Sequence, residues 1–233
     1  MSAASKRTAD CVWREAGSRC ELDRMELPST PPSEPARVDG RRLRSMRTRQ
    51  LVIEAYLALL RENPAIPTAA QVAERAGYSV RSIFERFPDL HALRIAATDY
   101  AFSLANSQAA TTGFEGNRQT RLRLHVEMRA RICAQWLPLW RALNANKGES
   151  KELEMRIQVI RGAVVNRIEL MYQPELSTLK EPERRQTVLA IEALIDIESW
   201  ARLSEFFGLS FKEGCTVWIW AIDRLLPPTP ANS

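Results

Sequence analysis

Apolar residues recur at helical spacing from residue 47 almost to the end of the chain, in segments separated by short breaks. In 47–62, Val52, Ile53, Tyr56, Leu59 and Leu60 share one stripe, which stops at Asn63-Pro64 because proline disfavours helix in the residue before it. Thr68-Ala69-Ala70-Gln71 opens the next segment in the form of a capping box, in which Thr68 and Gln71 satisfy orphan backbone donors reciprocally. Val72, Ala73 and Ala76 give it a short apolar face, and Gly77 ends it where left-handed backbone is least costly. Ser79 is a natural N-cap for 80–87, with Ile83 and Phe87 at i, i+4 on the apolar side. Pro88-Asp89 breaks and restarts the chain, and 90–106 reads as a longer helix.

Four further helical stretches follow, at 118–144, 151–172, 183–207 and 210–226. Pro138 is expected to kink or divide the first of them, and Gly208 to close the third. Strand alternation is absent. The pattern predicts an all-α chain: an N-terminal three-helix helix-turn-helix domain over 44–106, including a linking fourth helix, and then a helical-bundle domain over 107–226, to which the resemblance described below assigns ligand binding and dimerisation. Prolines crowd at Pro28, Pro31, Pro32 and Pro35 and again at Pro227, Pro228 and Pro230, so 1–43 reads as a disordered basic extension and 227–233 as a Pro-rich tail.

Composition narrows the chemistry. With 45% apolar and 26% charged residues in 233, the chain is an ordinary globular one. No apolar run approaches the roughly 18 residues a membrane span needs, and the N-terminus has no apolar stretch of the secretory kind. The expectation is a cytoplasmic protein with no membrane contact. Four Cys without a Cys-x-x-Cys pair argue against a zinc module or a disulfide scaffold. Neither His has an acid three residues before it, so the di-iron bundle pattern is missing, as are Gly-rich phosphate loops and the Gly-x-Ser-x-Gly turn. The chain is therefore read as a non-enzyme with no metal and no cofactor.

Charge is uneven. The net +5 comes mostly from residues 41–100, which hold ten basic and six acidic groups. Arg41, Arg42, Arg44, Arg47 and Arg49 run together with no acid between them. Such a run by itself is ordinarily a solvated face. Its place just before a helix, a glycine turn and a second short helix gives it meaning, because that arrangement can set the second helix in a major groove. The outward positions of the second helix are Val80, Arg81, Ser82, Glu85 and Arg86, short or cationic groups suited to phosphates and base edges.

Over about sixty residues the chain resembles the TetR-type (tetracycline-repressor-like) transcriptional regulators. Val52-Ile53, Ala55, Leu59-Leu60, Thr68, Val72-Ala73, Ala76-Gly77, Ser79, Ile83 and Phe87 fit that family's DNA-binding pattern without gaps. Tyr78 stands where the family usually has Val, Phe84 where it has Tyr, Arg86 where His or Tyr is common, and Leu90 where a Lys often opens the fourth helix. The resemblance implies a homodimer on a double-stranded DNA operator. Val80 and Arg81 would face bases, and Thr68, Ser82, Arg86 and an arm carrying Arg47 and Arg49 would meet phosphates; Ser79 and Phe84 complete the set.

The resemblance also implies an inducer pocket for a small apolar ligand in the body, and a dimer formed by the last two helices. His125, Met128, Cys133, Trp136, Trp140 and Tyr172 are the pocket candidates, although Trp and Met at helical spacing are more often core. Trp200, Leu203, Phe207, Trp218 and Ile222 are the dimer candidates, because Trp218 and Trp220 point to two faces of one helix. Two rival readings stand beside a ligand-released repressor. A helical-bundle enzyme with an incidental helix-turn-helix would turn over its pocket ligand, and a regulator answering to a protein partner would have a collapsed, empty body.

Overall fold

A computed structural model describes residues 40–63, 65–110, 115–145 and 150–231, apart from the side chain of Arg41. The expected extension lies outside the described residues as far as residue 39. The described residues form ten α-helices and no strand: α1 (Gly40–Glu62), α2 (Ala69–Ala76), α3 (Val80–Phe84), α4 (Leu90–Ala110), α5 (Arg118–Ala145), α6 (Lys151–Met171), α7 (Gln173–Leu176), α8 (Glu181–Leu194), α9 (Ile197–Ala201) and α10 (Phe211–Leu225). A single wider π-turn, Arg202–Phe206, carries α9 to Gly208. None of these helices is long and apolar enough to cross a membrane.

α5 is the axis of the molecule, packing on α1, α4, α6, α9 and α10. Its buried side includes Leu122, Val126, Cys133, Trp136, Leu139 and Leu143. Pro138 does not divide it: α5 runs unbroken from Arg118 to Ala145. Proline removes one N–H, but the buried residues on both sides of it keep the turn in register.

The 183–207 stretch is not one helix. It breaks at Ile195-Asp196, where Asp196 turns to extended backbone and its side chain accepts the Glu198 N–H at 2.8 Å. The Ile195 carbonyl thus freed accepts from Arg129 Nε at 3.1 Å. Helical apolar spacing persists across the break, which is why periodicity passes over it. α10 opens with a capping box, Ser210 with Glu213, and the Ser-x-x-Glu spelling was there to be read.

The Pro-rich tail is not free of the fold. Arg118 reaches the carbonyls of Pro227 and Leu226 and pairs with Asp223 at 2.8 Å, and Thr229 donates to Glu175 Oε1 at 2.6 Å. Glu175 is itself buried against Arg121, with Nη2–Oε1 at 2.6 Å. An interior ion pair thus anchors the end of the chain, which proline content alone does not reveal.

Candidate functional site

The helix-turn-helix is built by its caps. Thr68 Oγ1 accepts the Gln71 N–H at 3.3 Å, while Gln71 Oε1 accepts the Thr68 N–H at 2.9 Å. Gly77 takes φ 73°, and from there Tyr78 N–H donates back to the Ala73 carbonyl at 2.9 Å. A side chain at Gly77 would be strained by the backbone angle alone. Ser79 then caps α3 by accepting the Ser82 N–H at 3.2 Å. α3 is shorter than the spacing predicts, ending at Phe84 before a turn over 85–87. Ile83 and Phe87 are buried beneath it. Outside stand Val80, Phe84 and Arg81, whose side chain is 89% exposed and lies 3.2 Å from Glu85 Oε1.

The arginine run is not an arm. α1 already begins at Gly40, so Arg42, Arg44 and Arg47 project from exposed positions of a helix, with Arg44 bordering the same polar cleft as Glu85 and Arg86. Arg49, expected at phosphates, donates from Nη1 to the Arg86 carbonyl at 3.1 Å and lies over the Phe87 ring. Arg86 likewise turns inward, its Nη1 donating to the Ser82 carbonyl at 2.8 Å. Arg49 thus braces the end of α3 against α1 through a contact 37 residues apart, while the Arg86 side chain bonds back along its own turn. Thr68 is exposed but its hydroxyl is occupied in the capping box. The unusual Tyr78 has a partner: its hydroxyl and that of Thr48 are bonded at 3.3 Å, tying the turn to α1.

In the body, two adjoining cavities of about 70 Å³ and 80 Å³ lie between α4, α5 and α6, the first bordered also by Glu192 of α8 and Ile197 of α9. Phe102, Ala105, Arg129, Ile132, Ile160 and Val164 line both. Trp136 and Trp140 line the first, and His125 and Met128 the second. Tyr172 stands behind, its hydroxyl 2.8 Å from His125 Nδ1. Burial, with the nearby Arg129 and Arg167 charges, pushes the imidazole down to about 3, so it is neutral at ordinary pH. Burial also raises the Tyr172 hydroxyl, which stays protonated. Cys133 lines neither cavity. Its thiol points toward the Ile195 carbonyl, 4.0 Å away, and burial raises it to about 11, so it is a protonated core group. Arg129 and Arg167 were not among the candidates. Arg129 falls on the stripe of His125, Ile132, Trp136 and Trp140, but a cation in an apolar stripe ordinarily reads as a solvated interruption. Among the described residues no cluster of His, Cys, Asp and Glu could hold a metal ion.

The dimer candidates divide. Trp200, Trp218 and Ile222 are buried inside the single chain, with the two indoles edge to face at 5.1 Å, so they are not presented to a partner. Leu203 is half-buried and Phe207 is 59% exposed. Phe206 at 79% and Trp220 at 63% exposure form the outer apolar surface instead. Periodicity placed a Trp on each of two faces of α10 but not which face met the core.

No protein-family model matches the chain, and no curated protein matches its sequence. Solved structures do resemble it. A transcriptional regulator from Rhodococcus sp. Rha1 has a TM-score of 0.63 at 13% identity, over 78% of this chain and 99% of that one. A TetR-family transcriptional regulator from Streptomyces coelicolor gives 0.62 at 18%, over 77% and 80%. The multidrug binding protein EbrR, complexed with imidazole, gives 0.53 at 16%, over 88% and 100%. The chain has the all-α fold of these regulators, a helix-turn-helix joined to a helical bundle.

Proposed function

We propose that this chain, which shares the fold of the TetR-family regulators, is a homodimeric one-component repressor that leaves its DNA operator when a small ligand enters the α4–α5–α6 cavity. The observation that carries the reading is the capped α2–Gly77–α3 unit, with Val80, Arg81 and Phe84 facing outward and Arg42, Arg44 and Arg47 on the adjoining helix. Arg81 suits a guanine edge, and the α1 arginines suit phosphates. Two such units in a dimer would read half-sites about 34–36 Å apart.

The exposed Phe206 and Phe207, with ring centroids 5.0 Å apart, and the exposed Trp220 on α10 support a dimer through the C-terminal helices, since monomers rarely leave so many large aromatics in water. The cavity supports ligand control, which requires only that the ligand bind the DNA-competent and released states unequally.

Fluorescence anisotropy against the gene's own upstream DNA tests the assignment. Binding should be sequence-specific and salt-dependent, and Arg81→Ala should lower specificity by about 1–3 kcal/mol. Specific binding that Arg81→Ala leaves untouched would remove α3 from the interface. Light scattering should show a dimer that Trp220→Glu with Phe206→Glu converts to folded monomer. A reporter fused to the same upstream region should rise when the gene is deleted.

A further inference from the structure

One acid stands among the outward groups of α3, beside the arginine that faces away from the fold. Glu85, at the C-cap of α3, accepts from Arg81 Nε at 3.2 Å through Oε1. Its Oε2 lies 3.7 Å from Arg86 Nη1, and that Nη1 is itself held by the Ser82 carbonyl at 2.8 Å. The Arg86 side chain is only 22% exposed, so the carboxylate rests against a group the fold has already fixed. Arg81 is anchored at Nε alone; among the described residues nothing holds its Nη1 or Nη2. A long cation on a DNA-facing helix ordinarily goes to the nearest phosphate, which carries a charge that a base edge lacks.

We infer that Glu85 is a positioning residue for base readout: it holds Arg81 by Nε, so that the Nη1–Nη2 fork is presented to the O6 and N7 of a guanine and phosphate becomes a poor partner. The donors of a guanidinium divide by geometry. Once Nε carries a carboxylate, the two terminal nitrogens remain as the bidentate pair that the two acceptors of guanine match. The carboxylate also makes the Arg81–Glu85 pair neutral as a whole. Against a phosphate the attraction of one partner is opposed by the repulsion of the other, whereas guanine meets the fork with no such opposition. An exposed i, i+4 pair of this kind contributes little to stability in water. Its effect lies in the choice of DNA contact, and that choice is a difference of affinities between two partners of Arg81.

This inference rests on the reading of α3 as the DNA-contacting helix, and the choice of variants separates the two. Anisotropy compares a duplex that the full chain selects from a random pool with a mixed-sequence duplex of the same length, across a salt series. Glu85→Gln keeps the shape and removes the charge. It should lower the ratio of selected to mixed-sequence affinity at least about fivefold, chiefly by tightening the mixed-sequence complex. The slope of log affinity against log salt for the mixed-sequence duplex should steepen by about one, as Arg81 turns to a phosphate. In an Arg81→Ala background the same substitution should leave the ratio unchanged, because the group it positions is gone. A pool selected with Glu85→Gln should lose its guanine preference at one position of each half-site and keep the others. A ratio that Arg81→Ala lowers and Glu85→Gln does not overturns the inference while leaving α3 on the DNA. A ratio that Glu85→Gln lowers equally with and without Arg81 also overturns it, since Glu85 would then meet a base itself. A ratio that neither substitution moves removes α3 from the interface, and the inference with it.

Discussion

The guanidinium carbon of Arg49, on α1, stands 4.3 Å from the centroid of the Phe87 ring, while its Nη1 donates to the carbonyl of Arg86. One side chain thus fixes both the ring beneath the reading helix and the turn that ends it. Arg49→Ala should destabilise the fold by about 0.5–1 kcal/mol for the lost cation–ring contact, with a further contribution from the hydrogen bond. DNA affinity should fall while the slope of log affinity against log salt stays unchanged. Arg47→Ala, by contrast, should lower that slope by about one. Anisotropy titrations across a salt series separate the brace from the phosphate contact.

Arg121 and Glu175 form a pair with almost no solvent access, and Thr229 closes it from the tail. Glu175→Gln should destabilise by about 3–5 kcal/mol, measured by urea unfolding, since it leaves the Arg121 charge buried without its counter-ion. Burial by itself would raise the Glu175 carboxyl, but the bonds from Arg121 and Thr229 outweigh it and hold the carboxyl below its usual range. The stabilisation is accordingly complete above the unfolded value of about 4.3 and is lost as pH falls through the lower folded one.

His125 works in the opposite sense. Its folded value of about 3 lies below the unfolded value of about 6.5, so between them the unfolded chain binds the extra proton. Stability should therefore fall as pH drops below about 6.5, by about 1.4 kcal/mol between pH ~7.5 and ~5.5 from this group. His125→Asn should remove that increment from the pH dependence of urea unfolding. An unchanged profile would mean that His125 is not a buried neutral imidazole.

Two glycines in helices should answer oppositely to alanine. A Cβ on Gly214 would lie 2.9 Å from Trp200 Cζ3, whereas one on Gly162 meets nothing within 4 Å. Gly162→Ala should stabilise by about 0.5–1 kcal/mol through backbone entropy. Gly214→Ala should destabilise by about 1–3 kcal/mol, because the indole is wedged between Phe211 and Trp218 and cannot retreat freely. Paired thermal melts of the two variants read the difference directly.

Much of the helix-turn-helix was legible in the residues, because its signals act within one turn of chain. Thr68 and Gln71, Gly77, and Ser79 declare their caps to neighbours at most five positions away, and the structure places each cap where its spelling predicts. The all-α class and the spans of α5 and α6 followed from periodicity for the same reason, while α4 runs four residues past its expected end at 106. What the sequence could not decide was which distant group each side chain meets. That Arg49 reaches the carbonyl of Arg86 appears only once the fold brings α1 and the end of α3 together. Trp218 and Trp220 carry the same indole on two faces of α10, and only packing against Trp200 sent one inward and left the other in water. Arg129 became part of a cavity wall because α4 and α6 close over its stripe, and the tail was docked by a buried carboxylate from another helix. Caps and periodicity are energies of adjacent residues and can be read along the chain; burial, ion pairing and cavity chemistry are energies of residues dozens of positions apart, and exist only once the helices have packed.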